Sequence, residues 1–211
     1  MSRENILHRV RTALGRSAGQ PAAEPPPPRI RVPEMDLESR IASMRTRLEA
    51  LAGKTFRAAS MEEAREIVAA EIAGRTAVAS NAPFLAECGI AGLAGVRSGI
   101  LDREELRQVC AAADVGITSA DFALADTGTL VMIAGPAEAR LVSLLPPAHI
   151  AVVPAERILT GLDELFTVAP HPAEMTSSMV LITGPSRTAD IEQFLVRGVH
   201  GPGAITVVIV G

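Results

Sequence analysis

Apolar residues recur at helical spacing at the start of the chain, where Ile6, Leu7, Val10 and Leu14 alternate with Arg3, Arg9 and Arg11. This pattern predicts a short amphipathic helix. The stretch Gln20 to Pro28, QPAAEPPPP, is too rich in proline for helix or central strand and predicts an extended, semi-rigid linker. Residues 1–32 thus read as a tethered helical arm with its linker, and residues 33–211 as the main domain. The arm's apolar stripe must dock on this subunit, on a second copy in a homo-oligomer, or on another protein. A second stripe, Leu37, Ile41, Met44, Leu48 and Leu51, predicts a helix from about Pro33 to Leu51 that Gly53 ends. Ser60-Met-Glu-Glu63 reads as a capping box that opens a helix with Ala64, Ile67, Val68 and Ile72 on one face.

From Arg75 onward, short apolar runs alternate with amphipathic stretches. Strands are predicted near Thr76 to Ser80, Val115 to Ser119, Phe122 to Ala125 turning back as Thr129 to Ala134, Ile150 to Val153, Met179 to Thr183 and Ala204 to Val210. Helices are predicted near Arg103 to Ala112, Ala137 to Leu144, Leu162 to Val168 and Thr188 to Val196. Strands separated by helices of this length imply an α/β fold with a mainly parallel sheet and helices on both faces.

Composition narrows the function classes. Apolar residues make up 48 % of the chain, but aromatics only 2 %, with no Trp or Tyr, and the net charge is −4. Without stacking platforms or basic excess, nucleic acid is excluded as an expected partner. Cys88 and Cys110 form no Cys-x-x-Cys pair, and His8, His149, His171 and His200 are scattered, so no intrinsic metal site or cofactor is expected. No apolar run approaches the ~20 residues needed to span a bilayer. The amino end also lacks the apolar centre of a secretory signal, and the cytoplasm is the expected compartment.

The candidate chemistry lies in two polar turns. In MVLITGPSRTADIE, Met179 to Glu192, an apolar run breaks at Gly184-Pro185 and is predicted to become a helix start. Its N–H groups, with Ser186, Arg187, Thr188 and Asp190 beside them, suit a small carboxylate or phosphate. Ser186 or Thr188 as a plain helix cap is the alternative. The hairpin turn Asp126, Thr127, Gly128 and Thr129 follows another strand end, and the two turns could share one mouth beyond the strands. Asp126, Glu192 and His200 are the candidates for handling a proton. His149 and His200 precede strands, which sets them at the opposite end of a parallel sheet from that mouth, and a histidine before Gly-Pro can also simply fix a turn.

The segments ADTGTLV, RLVSLLPPAHIAVV and LITGPSRTADIEQFLVRGVHGPGAITVVIV resemble the lactate-utilisation protein C family, the LutC/YkgG group of LUD-domain proteins, from about Asp121 to Val210. The family's hairpin motif carries Glu where this chain has Asp126. The resemblance implies a fold similar to the ribose-5-phosphate isomerase and CoA-transferase class. It also implies a place in a multi-protein system that oxidises L-lactate to pyruvate, with iron–sulfur clusters on partner proteins. Three readings therefore stand: a non-iron–sulfur subunit with an anion-binding crevice, a stand-alone isomerase or acyl/CoA-type transferase on a phosphorylated or thioester substrate, and a scaffold without its own ligand.

Overall fold

The computed structural model describes residues 2–17, 19, 20, 33, 35–188 and 196–211. The chain divides into two units, residues 1–30 and 31–211. In the first, helix α1 (Arg3–Ala13) is capped by Ser2, whose hydroxyl accepts from the Asn5 amide, and Ile6, Val10 and Leu14 are exposed. The proline-rich stretch after Gln20 lies outside the described residues.

The second unit opens with α2 (Leu37–Ala50), where the Asp36 carboxylate accepts from both the amide and the hydroxyl of Ser39. The helix stops one residue earlier than Gly53 suggests, because Ala52 takes the left-handed conformation at φ 63°. Gly53 then donates its amide to the Leu48 carbonyl. A Cβ in that region costs about 1–2 kcal/mol that glycine avoids, less the entropy glycine loses on folding. Ala52→Gly should accordingly stabilise the domain by roughly 0.5–1 kcal/mol in urea unfolding.

Strand β1 (Lys54–Ala58) leads to α3 (Met61–Ile72), whose capping box forms as expected. Ser60 accepts from the Glu63 amide, and the Glu63 carboxylate returns to the Ala59 amide. Then come β2 (Ala77–Ala79), α4 (Pro83–Glu87), β3 (Val96–Arg97), α5 (Arg103–Ala112) and β4 (Val115–Ser119). The hairpin β5 (Phe122–Leu124) and β6 (Thr129–Ile133) precedes α6 (Arg140–Leu144) and β7 (Ala148–Pro154). The chain closes with β8 (Ile158–Leu159), α7 (Leu162–Val168), α8 (Pro172–Met175), β9 (Met179–Ile182), β10 (Arg187–Thr188), β11 (Val196–Arg197) and β12 (Ala204–Val210).

The main sheet is parallel throughout, in the order β1-β12-β7-β4-β2-β3. A smaller sheet, β8-β5-β6-β9, pairs β6 antiparallel with both β5 and β9. Alternate residues of the central strands serve two cores. Ile150, Val152 and Val208 pack with Ala64, Val68 and Leu85 on one face. Ala151, Val153 and Val207 pack on the other with Ile41, Met44 and Leu48 of α2 and with the small sheet. Ala120, Ala123 and Ala125 in that second core let the two sheets approach closely, where the near absence of aromatics becomes a packing device.

Two expectations are corrected. Met179 to Thr183 is a strand, but it pairs antiparallel with β6 in the small mixed sheet rather than joining the parallel one. The helix expected over Thr188 to Val196 does not start at Thr188: Arg187 and Thr188 pair antiparallel with Arg197 and Val196. The Ser186 amide donates to the Pro202 carbonyl and the Ser186 carbonyl accepts from the Gly198 amide, and those bonds replace the helical ones.

Candidate functional site

The two predicted turns meet, but they do not form one mouth. Thr127, Thr129 and Thr183 make a chain of hydroxyls with 2.8 Å links, because Thr129 and Thr183 flank the paired Leu130 and Ile182. Gly128 (φ 69°) and Gly184 (φ 78°) both seat on the end of α2. A Cβ on Gly128 would lie 2.7 Å from the Leu48 nitrogen, and one on Gly184 would lie 3.0 Å from Leu51 Cβ. From there the turns diverge. Asp126 is exposed and lines a cavity of about 290 Å³ with Thr160 and Glu164. Ser186, Arg187 and Gly184 line a separate groove of about 420 Å³. The free helix N-terminus on which an anion cradle was expected is absent at Thr188, and Asp190 and Glu192 lie outside the described residues. Arg187 donates to the Leu51 carbonyl at the end of α2.

The histidines also change places. His200 shares the groove of Ser186 and Arg187, because the Gly184 turn leaves a strand of the small sheet and comes to lie by the amino end of β12. His149 is inside β7 and fully buried, with Nε2 2.7 Å from the Thr118 hydroxyl. Burial pushes its pKa down to about 4.

The site that the topology favours was not read from the sequence. In an open parallel sheet, ligands bind beyond the carboxyl ends of strands where successive connections leave in opposite directions. Here β2 leads outward to β3 and β4 leads inward toward β7, so the switch falls between β2 and β4. A crevice of about 440 Å³ lies there, lined by Phe84, Asp121, Glu138, Glu156 and Arg157 among others. The turn before α6 crosses these strand ends: Asn81 donates its amide to the Ala137 carbonyl. Glu138 Oε2 accepts from the Ser80 hydroxyl at 2.7 Å and from the Ser119 amide at 3.4 Å. Its Oε1 is buried with no partner among the described residues.

Burial outweighs those two hydrogen bonds and, with the nearby Asp121 charge, pushes the Glu138 carboxyl up to about 8. At neutral pH it is mostly protonated. Oε2 accepts both bonds, which leaves Oε1 as the oxygen without a partner among the described residues. Asp121 is also raised by burial, although it accepts from the Ile133 amide at 2.6 Å. Arg157 donates to the Asp121 carbonyl and stands 5.9 Å over the Phe122 ring. It is the one cation among the described lining residues, against the carboxyls of Glu87, Asp121, Glu138 and Glu156. A neutral acid in a cleft with a single guanidinium can bind a small monoanion and exchange a proton with it.

Among the described residues no group of His, Cys, Asp and Glu is placed to hold a metal, and no helix is long and apolar enough to cross a membrane.

Residues 41–210 match the family model described as LUD domain. The chain is 35 % identical over 150 residues to lactate utilization protein C of Halalkalibacterium halodurans, covering 67 % of this chain and 65 % of that protein. It is 39 % identical over 111 residues to lactate utilization protein C of an Exiguobacterium species, covering 51 % and 48 %. The matched stretch therefore spans less than two thirds of either relative. A crystal structure of a DUF162 family protein from Deinococcus radiodurans superposes with a TM-score of 0.66 at 19 % identity, over 84 % of this chain and 100 % of that one. This last likeness shows the shared fold.

Proposed function

The chain belongs to the LUD-domain family, and on that premise we propose that it serves lactate utilisation as a subunit that binds the small acid in the crevice between β2 and β4. The observation that carries this reading is the carboxyl of Glu138, which lines the cavity of about 440 Å³ at the topological switch point and has one buried oxygen without a partner among the described residues. Arg157 pairs with the carboxylate of a 2-hydroxy or 2-oxo acid, and neutral Glu138 donates a hydrogen bond to it. The surrounding carboxyls repel phosphorylated and thioester substrates, whose several negative charges one guanidinium does not offset. This disfavours the isomerase and transferase reading for the crevice.

Iron–sulfur clusters fall to partner proteins in this proposal. Cys88 and Cys110 are both buried, and burial raises both thiols, Cys110 to about 11. The thiolates that clusters require are disfavoured in both cases.

Calorimetric titration of the purified full chain with L-lactate and with pyruvate tests the proposal. Binding is expected at pH 6.5 and should weaken at pH 9, where Glu138 is ionised and adds to the repulsion. Arg157→Ala should weaken it by about tenfold or more, as a charged hydrogen bond of roughly 1.5–3 kcal/mol is lost. Glu138→Gln should retain binding and lose the pH dependence. Failure of both acids to bind, or unchanged affinity in Arg157→Ala, overturns the assignment, and turnover of a sugar phosphate or an acyl-CoA by the chain alone would put the transferase reading in its place.

A further inference from the structure

The groove by the amino end of β12 differs from the crevice in its charge. None of its described lining residues is acidic, and Arg187, His200, Ser143 and Ser186 are among them. Ser186 is half-buried, and its hydroxyl accepts from the His200 amide at 3.4 Å. Gly201 lies against it, where an added Cβ would come within 3.6 Å of Ser186 Cβ.

A second observation comes from the strand register. Arg187 and Arg197 are directly opposite each other in the antiparallel pair β10 and β11, which puts both on one face of the pair; Arg187 lines the groove, and Arg197, not itself a lining residue, stands across the ladder from it. Both are exposed, and neither takes part in the ion pairs found among the described residues. Like charges directly opposite in a ladder destabilise it, unless an anion lies between them. Arg187 uses one N–H on the Leu51 carbonyl; a guanidinium has five. Two guanidinium groups, an imidazole and a serine hydroxyl exceed what a single carboxylate engages, and they match the charge and acceptor oxygens of a phosphoryl group.

We propose that this groove is a second ligand site, distinct from the switch-point crevice, that takes the phosphoryl group of a small phosphorylated molecule or free phosphate between Arg187, Arg197 and Ser186.

Thermal unfolding of the full chain with inorganic phosphate, against sodium chloride at matched ionic strength, tests the site. Phosphate should raise the wild-type midpoint by a few degrees through binding to the folded state. The double variant Arg187→Ala, Arg197→Ala should lose the effect. In chloride alone, Arg197→Ala should unfold no earlier than wild type, since the like-charge pair is gone; this keeps the test valid if the double variant folds poorly, because Arg197→Ala alone should also cut the phosphate response. Adenosine monophosphate gives the second arm. Tighter binding than inorganic phosphate assigns the rest of the groove to an organic moiety, and equal binding assigns the site to free phosphate. Equal wild-type midpoints in phosphate and chloride, or an equal rise in the arginine variants, overturns the proposal. Arg157→Ala, which should lose binding of the small acid, should keep the phosphate response, and this separates the failure of this site from that of the lactate reading.

Discussion

Replacing Gly116 with alanine is expected to cost on the order of 4 kcal/mol or more, enough to leave much of the protein unfolded given typical domain stabilities. Gly116 sits in β4, paired on one side with Val78 and on the other with His149. A Cβ there would lie 1.9 Å from the Val142 carbonyl oxygen, 3.0 Å from its carbon and 3.1 Å from Pro146 Cγ. The obstacle is the backbone of α6 and a proline ring, neither of which can rotate aside. Either the helix lifts from the sheet or the strand leaves its ladder, and both routes open the core formed by Val78, Cys110 and Val142. Gly92→Ala is the matched control, since an added Cβ there meets nothing within 4 Å. Soluble yield and thermal unfolding of the two variants should separate sharply; similar midpoints would refute the packing argument.

The second large effect is on stability against pH. Glu138 titrates from an ordinary value of 4.5 to about 8 in the folded chain. The folded state thus holds this proton more tightly, and the stability involved is complete below pH 4.5 and lost as pH rises through 8. His149 is the converse case, moving from 6.5 to about 4. Its contribution is complete above pH 6.5 and lost as pH falls through 4. Between pH 4.5 and 6.5 the two slopes oppose each other and stability should be nearly level. From 6.5 to 8 only the Glu138 slope remains. One full titration slope is about 1.4 kcal/mol per pH unit, and after discounting for the partial exposure of Glu138 a fall of on the order of 1–2 kcal/mol is expected over that window. Glu138→Gln should abolish this decline and uncover the acid limb due to His149, so that the variant loses stability steadily from pH 6.5 downward. Urea unfolding at pH 5, 6.5 and 8 checks both features; parallel profiles for variant and wild type would show that Glu138 is not the titrating group.

The elements most legible in the sequence are those with a local cause. The strands Val115–Ser119 and Ala204–Val210 and the helices Arg103–Ala112 and Leu162–Val168 have the predicted bounds, since apolar runs and polar breaks delimit them. Strand β1 was missed because only Thr55 and Ala58 of KTFRA are buried; at a sheet edge its Lys54 and Arg57 look like loop residues. The turn after Gly184 misled for the opposite reason. Ser186, Thr188 and Asp190 carry the polar signature of a helix start, but distant partners, Pro202 and Gly198, hold the Ser186 backbone in an extended arrangement, and spacing along the chain contains no trace of them. The crevice was hidden twice. Its place depends on strand order, which only long-range pairing decides. Reading Ala137 to Leu144 as one helix also gave Glu138 no distinct place, whereas α6 begins at Arg140 and Glu138 belongs to the turn before it. Asp126 to Thr129 and Gly184 to Thr188 are expected from sequence to share one mouth; they are linked through the Thr129 and Thr183 hydroxyls but line different cavities, and their packing on the end of α2 leaves no signal in the turns themselves.

The position of β12 bears on how the molecule assembles during synthesis. It is inserted between β1 and β7, with Lys54 in register with Thr206, so the first strand of the domain finds its sheet neighbour among the described residues some 150 residues later. Until that late segment arrives, β1 and β7 each present an open edge, the arrangement most prone to pairing with another nascent chain. In the interim β1 has α2 and α3 as its packing partners, and a cell making this protein quickly gains most from whatever shields the two edges until the closing strand arrives.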